Sequence, residues 1–350
     1  MLKLNATRQP WLQNSTIEFF FILVPPILPV LLLFVFKKYF FEHTQVTSLW
    51  WVILVLFIDV AHVYSTLFRM YWDKLTYQKY KRHLWIIPLT GLIIGFCLHF
   101  SNALTFWRML AYLAVFHFIR QQYGFMRLYS RKENNNQIYK VIDSLAIYSA
   151  TLYPLIYWHF HLTNQLSWFV EGDFYSLSFP EPGNLLFYLY IGIAVLYFTK
   201  EVWGLIKTSQ FNLPKNMVML GTYLSWYVGI IVFRGDLAFT ILNVIAHGIP
   251  YMALVWIYGE KKSVTLKNFR FNLIGVLIFI GSVIILSYLE EGIWDIFIWK
   301  DHTDIFPFLI DFPAIENPIV LSILVPILTL PQFTHYVLDG FIWRLSKNKV

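Results

Sequence analysis

Charge and cysteine are both scarce in this sequence. Only 13% of its 350 residues are Asp, Glu, Lys or Arg, too few to clothe an ordinary soluble domain. The single cysteine, Cys97, sits in an apolar run, which excludes a disulfide framework within the chain and any Cys-rich zinc or iron–sulfur site. The short alternating segments of a transmembrane β-barrel are missing. So are low-complexity tracts and internal repeats, which leaves the inverted-repeat architecture of many transporters without support. No cleavable leader is expected: Met1 to Ser15 is polar, and the first apolar run ends at Lys37-Lys38 rather than at a small-residue cleavage site.

What is abundant is apolar and aromatic surface. Hydrophobic residues make up 58% of the chain and aromatics 20%, and the apolar residues recur in runs long enough to cross a bilayer as helices. The expected fold is therefore all-α: a polytopic transmembrane helix bundle forming one membrane-embedded domain over residues 1–350. About ten spans are expected, at roughly 16–36, 49–72, 84–101, 103–127, 138–160, 185–205, 215–233, 237–259, 271–289 and 319–344. Basic residues gather in Lys74 to Arg82, Arg127 to Lys140, Lys200 to Lys215, Lys261 to Arg270 and the C-terminus with Arg344. The intervening loops with Glu171, Asp173 and Glu181, and from Glu290 to Glu316, are acidic. That alternation predicts both termini in the cytoplasm, with Lys37-Lys38 the exception, and a bacterial inner membrane as the location. It also accounts for the formal charge of +7 without a nucleic-acid partner. The outer loops, about 165–184 and 291–317, are rich in Trp, Phe and Pro and are expected to lie as interfacial lids. The triplets Asn5-Ala6-Thr7 and Asn14-Ser15-Thr16 would be silent as glycosylation sites on the cytoplasmic side.

Four spans carry a histidine at matched depth: His62, His117, His247 and His335. In the expected topology these helices all run from outside to inside, and each histidine lies about 9 to 12 residues, roughly 14–18 Å, from the cytoplasmic end. Four imidazoles on parallel helices could then meet in one layer. Each has a polar neighbour at helical spacing: Asp59 before His62, Gln121 after His117, Asn243 before His247 and Asp339 after His335. A metal-bound histidine gives its other ring N–H to such a group, so Asp59, Gln121 and Asn243 are expected to support a bound cofactor. A lone buried histidine in a membrane helix is more often a hydrogen-bonding group between helices; four at one depth turn the reading toward a shared metal or haem site. Imidazoles without thiolates suit iron, copper or zinc. The other histidines, His43, His83, His99, His159, His161 and His302, fall in loops or near the membrane surfaces. Arg69 and Arg120 are either internal salt-bridge partners of Asp59 or Asp339 or clamps for a carboxylate, phosphate or haem propionate. Arg127 and Arg344 read as interfacial anchors.

The run His335-Tyr336-Val337-Leu338-Asp339-Gly340-Phe341-Ile342-Trp343-Arg344 resembles the final histidine motif of the Brp/Blh family of bacterial β-carotene cleavage oxygenases. The segments around His62 and Phe116-His117-Phe118 are similar to that family's earlier histidine helices. The resemblance implies a polytopic membrane enzyme holding non-haem iron through histidines and splitting a carotenoid with O2. It implies His62 and His117 as ligands and His335 as ligand or near neighbour. The family's His-x-x-x-His pair would start at His247, where this chain has Tyr251 as the second member.

Four functions are compatible with these residues. The first is an oxygenase or related oxidoreductase acting with O2 on a lipid-like or isoprenoid substrate, apolar or amphipathic, at a four-histidine Fe2+ site, with Asp339, Arg120 and Tyr251 as catalytic candidates. The second is a haem b protein with two axial histidines and Arg69 or Arg120 on the propionates. The third is a proton-coupled transporter in which the histidines, Asp59 and Asp339 relay protons, with Pro250 kinking the eighth helix. The fourth is a membrane assembly partner whose polar residues only fix helix packing.

Overall fold

The computed structural model describes residues 9–133, 136–161, 167–178, 184–261, 272–307 and 312–342, and among these every regular element is helical. The helices are α1 (Ser15–Leu23), α2 (Leu28–Val35), α3 (Lys37–Glu42), α4 (Ser48–Tyr71), α5 (Lys74–Ser101), α6 (Ala103–Tyr129) and α7 (Gln137–Phe160). They continue as α8 (Leu185–Thr208), α9 (Leu213–Phe233), α10 (Asp236–Lys261), α11 (Leu273–Trp299), α12 (Pro318–Leu328) and α13 (Leu330–Ile342). Six of them, α4, α5, α8, α9, α10 and α11, are long and apolar enough to cross a membrane. The number rises to eight if each bent pair, α1 with α2 and α12 with α13, is one span. Helices α6 and α7 have the length but carry more polar residues.

Short polar side chains start these helices. Asp73 caps α5 by accepting from Leu75 N at 3.1 Å, and Asn102 separates α5 from α6 by accepting from Thr105 N at 2.8 Å. Asn136, Asn212, Asn272 and Asn317 do the same for α7, α9, α11 and α12. The two bends have proline causes. Pro25-Pro26 lies between α1 and α2, which meet at 48°, and Pro331 follows the break between α12 and α13, which meet at 41°.

Burial separates centre from rim. In α10 the most apolar stretch is 72% buried, against 11% in α5 and 17% in α8. The outer faces of α5, α8, α11 and α12 expose large apolar side chains such as Ile86, Phe198, Leu277 and Ile323, the surface a lipid tail would cover. Around α10 the bundle closes as a ring: α10 packs on α4 and α6, and α13 packs on α6 and α4. These four helices carry the four histidines.

Two boundaries differ from expectation. Helix α5 begins at Lys74 instead of 84, so the basic stretch Lys74 to Arg82 is helical and not a loop. Helix α11 runs ten residues past 289, to Trp299, and takes Glu290, Glu291 and Asp295 into the helix. Glu290 is tolerated there because Tyr64, Gln332 and Trp294 all donate to its carboxylate. The segments containing Asn5-Ala6-Thr7, Lys262 to Arg270 and Arg344 lie outside the described residues.

Candidate metal centre

The site is set by how closely α4 and α10 approach. Gly248 faces Ile58 of α4, and a Cβ built there would stand 2.7 Å from Ile58 Cγ2 and 3.1 Å from its carbonyl oxygen. Only glycine permits that approach. It lets His247, one residue earlier, touch His62, with the two Nε2 atoms 2.9 Å apart. On the opposite side His335 Nε2 lies 3.0 Å from His117 Nε2.

The four rings form a closed quadrilateral. Centroids are 4.6 Å apart for His62–His247, 4.8 Å for His247–His117, 4.6 Å for His117–His335 and 4.9 Å for His335–His62. Every neighbouring pair is close to perpendicular, at 88°, 83°, 70° and 79° in the same order. One nitrogen from each ring lies within 4.8 Å of the others, and all four residues are at most 2% exposed. Around an ion with metal–nitrogen bonds of about 2.0–2.1 Å, adjacent ligands at right angles stand roughly 3.0 Å apart and opposite ones roughly 4.2 Å. The two measured contacts, 2.9 and 3.0 Å, match the adjacent spacing. Four histidines this close together could bind a metal ion.

The outward nitrogens matter as much. His62 Nδ1 faces Asp59 Oδ1 at 3.7 Å, His117 Nδ1 faces Asp339 Oδ2 at 3.5 Å, and His335 Nδ1 is 2.7 Å from Thr66 Oγ1. Three of the four imidazoles thus have an oxygen behind the ring, but only Thr66 is within ordinary hydrogen-bond distance, and His62 Nδ1 is left without a hydrogen-bond partner. His247 Nδ1 has no hydrogen-bond partner; that ring is held by Phe118, stacked on it at 3.7 Å. Tyr251 and Tyr336 close the remaining sides, Tyr251 at 4.8 Å from His335 and Tyr336 at 5.1 Å from His117.

The expected supporting pairs are therefore rearranged. Only Asp59 stands behind the histidine of its own helix. Asp339 reaches across to His117 instead of His335, whose place is taken by Thr66. Gln121 donates to the carbonyl of His247 at 2.9 Å and Gln122 to that of Ala246 at 3.4 Å. Pro250 explains both, since it returns no N–H to Ala246 and the turn before it needs outside donors. Asn243 donates to Phe239 O at 3.0 Å and leaves its own buried carbonyl oxygen without a partner.

Neither arginine reaches the centre. Arg69 is buried, donates to Thr76 Oγ1 at 2.7 Å, lies 3.6 Å from Asp73 and stacks on Tyr258. It pairs with Asp73, in the short connection after α4. Arg120 lies on the exposed side of α6, bonded to Tyr148. Tyr251 is fully buried, with its hydroxyl 3.2 Å from Thr66 Oγ1. Thr66 is the residue sequence reasoning missed; it lies four positions after His62, on the same helical face.

A cavity of about 540 Å³ adjoins the centre. Phe118, Tyr336, Asn243 and Asp59 line its inner end, and the loop residues Trp168, Phe169, Asp301 and His302 line its outer end. The segment 167–171 lines it, anchored where Asp173 accepts from the amides of Trp168 and Phe169 at 2.9 and 2.7 Å.

No family model, curated protein or solved structure matches the chain.

Proposed function

We propose that the chain is a membrane-embedded metalloprotein in which His62, His117, His247 and His335 hold one transition-metal ion, non-haem iron. The reading takes it as an oxygenase or related oxidoreductase that uses O2 on a substrate with a lipid-like body. The observation that carries it is the paired orientation of the rings: Nε2 atoms meet at the centre while three Nδ1 atoms face an oxygen. These four residues would hold the ion, and an ion so held would supply a site at which O2 could be activated. The cavity is of the size that takes a small organic molecule. The same crowding speaks against haem, because four imidazole nitrogens within 4.8 Å of one another leave no room between them for a macrocycle.

On this account the protein's own groups have defined tasks. Asp59, Asp339 and Thr66 orient the ligand rings, Phe118 and Tyr336 exclude water, and the Tyr251 hydroxyl, held by Thr66, is the group available to hold a proton beside His335. The ten-span topology, with the acidic loops outside a bacterial cytoplasmic membrane, belongs to the same proposal.

The test is metal content and a visible spectrum for detergent-purified protein and the four single His→Ala variants. Stoichiometric iron, no Soret band and loss of metal in each variant are expected. Full metal in all four variants would remove the proposal. One observation favours a second reading, cation transport: the cavity ends at Asp59, directly behind His62. A metal-free protein that moves cations in proteoliposomes would establish that instead.

A further inference from the structure

The cavity above the histidine ring has walls of one electrostatic kind. Six carboxylates line it: Asp59, Glu171, Asp236, Glu291, Asp295 and Asp301. No lysine or arginine does so among the described residues. Burial holds the imidazole of His302 below its ordinary value despite Asp295, Asp301 and Asp304 nearby, so it supplies no positive charge at neutral pH. Two buried amides add to the excess of acceptors. Asn243 is 2% exposed and Gln332 9%, both line the cavity, and each has spent its N–H2 elsewhere and left its carbonyl oxygen unpartnered.

Such oxygens are costly to bury without a donor or a cation. Glu291, half-buried on the wall, makes no hydrogen bond or ion pair among the described residues. Among the apolar residues of the wall are six indoles, Trp51, Trp107, Trp158, Trp168, Trp294 and Trp299, the last two stacked 5.8 Å apart. Among the described residues the four histidines are the sole group of His, Cys, Asp and Glu close enough to hold a metal ion, so the cavity carboxylates are too dispersed to hold one. Scattered carboxylates among aromatic faces are the surroundings of a large, weakly hydrated organic cation.

We infer that this cavity binds an organic cation, an amine or quaternary ammonium group carried on an apolar body, between Glu291, the free oxygens of Asn243 and Gln332, and the tryptophan wall. This deepens the proposed function by naming its substrate class, and it rests on that function only for the word substrate; binding itself does not need the metal. It also replaces the anionic partner that Arg69 and Arg120 would have served, since neither arginine lines the cavity.

The experiment uses the full chain in detergent, with tryptophan fluorescence and calorimetry as readouts. Benzyltrimethylammonium is compared with neopentylbenzene, its neutral isostere, in the native protein and in the Glu291→Gln and His335→Ala variants. The ammonium compound should bind at least tenfold more tightly than the neutral one. Glu291→Gln, which removes the carboxylate that a bound cation would stabilise, should cut that ratio about tenfold. His335→Ala should leave it unchanged whatever happens to the metal. Equal affinity for the two probes, or a ratio indifferent to Glu291→Gln, overturns the inference. So does saturable Mn2+ binding in the cavity of His335→Ala with no response to the ammonium probe, which would mark a passage for inorganic ions. Ammonium binding that fails while metal content stays intact leaves the metal centre standing, and the converse result leaves the cavity site standing.

Discussion

Gly248→Ala tests the link between helix packing and the metal centre. The new methyl would stand 2.7 Å from Ile58 Cγ2 and 3.1 Å from Ile58 O. The Ile58 side chain can swing away, but its backbone oxygen cannot. With the side chain moved aside, the contact with the backbone oxygen at 3.1 Å still requires α10 to retreat from α4 by a few tenths of an ångström. The cost to folding is that of overpacking, about 1–3 kcal/mol. The cost to the centre is separate. It stretches the 2.9 Å contact of His247 with His62, whereas neighbouring ligands on one ion need about 3.0 Å. Metal affinity should fall by about ten- to a hundredfold, the range seen when groups orienting ligands are lost. Gly221→Ala is the control: its methyl would meet Pro26 Cβ at 2.6 Å, an equally tight contact away from the histidines. Metal titration and thermal unfolding of both variants decide the matter. Gly248→Ala with native metal affinity, or both variants losing metal in proportion to their stability, would refute the reasoning.

Other outcomes follow from the same contacts. Asp339→Asn keeps the shape beside His117 but weakens its hold on Nδ1; metal affinity should drop about tenfold with little change in unfolding temperature, measured by competitive chelation. Thr66→Val, removing the oxygen 2.7 Å from His335 Nδ1, should give a similar loss, and Thr66→Ser should restore most of it. Glu18 is fully buried and accepts from the amides of Leu12, Gln13 and Asn14 and from the Tyr129 hydroxyl. Glu18→Gln should cost about 2–3 kcal/mol in denaturant unfolding without changing metal content. Lys215 is 2% exposed between Glu133 at 2.8 Å and Glu201 at 2.6 Å, so Lys215→Met should destabilise by about 3–5 kcal/mol, with partial recovery when Glu201→Gln is added.

The helical class and the four histidines were legible because both are one-dimensional properties. Apolar run length reports a helix, and counting residues from a basic loop reports depth; both survive any arrangement of neighbours. What surrounds each histidine depends on lateral packing, which spacing along one helix does not encode. Asp339 is four residues from His335 yet serves His117, because α13 turns its carboxylate toward α6. Gln121 was drawn away by the carbonyls before Pro250. The same limit misplaced the arginines: Asp73, in the short connection after α4, holds Arg69 before it can reach the interior. The end of α11 was hidden for a related reason. Glu290 and Glu291 read as loop residues until Tyr64 and Gln332, from two other helices, are seen to satisfy Glu290.

The most direct measurement is X-ray absorption at the metal edge of the purified protein. The account predicts iron with four imidazole nitrogens at about 2.1 Å and the outer-shell scattering of four rings, reduced to three in His335→Ala. A spectrum showing two imidazoles or fewer, porphyrin scattering, or no bound metal in protein prepared without chelators would contradict it.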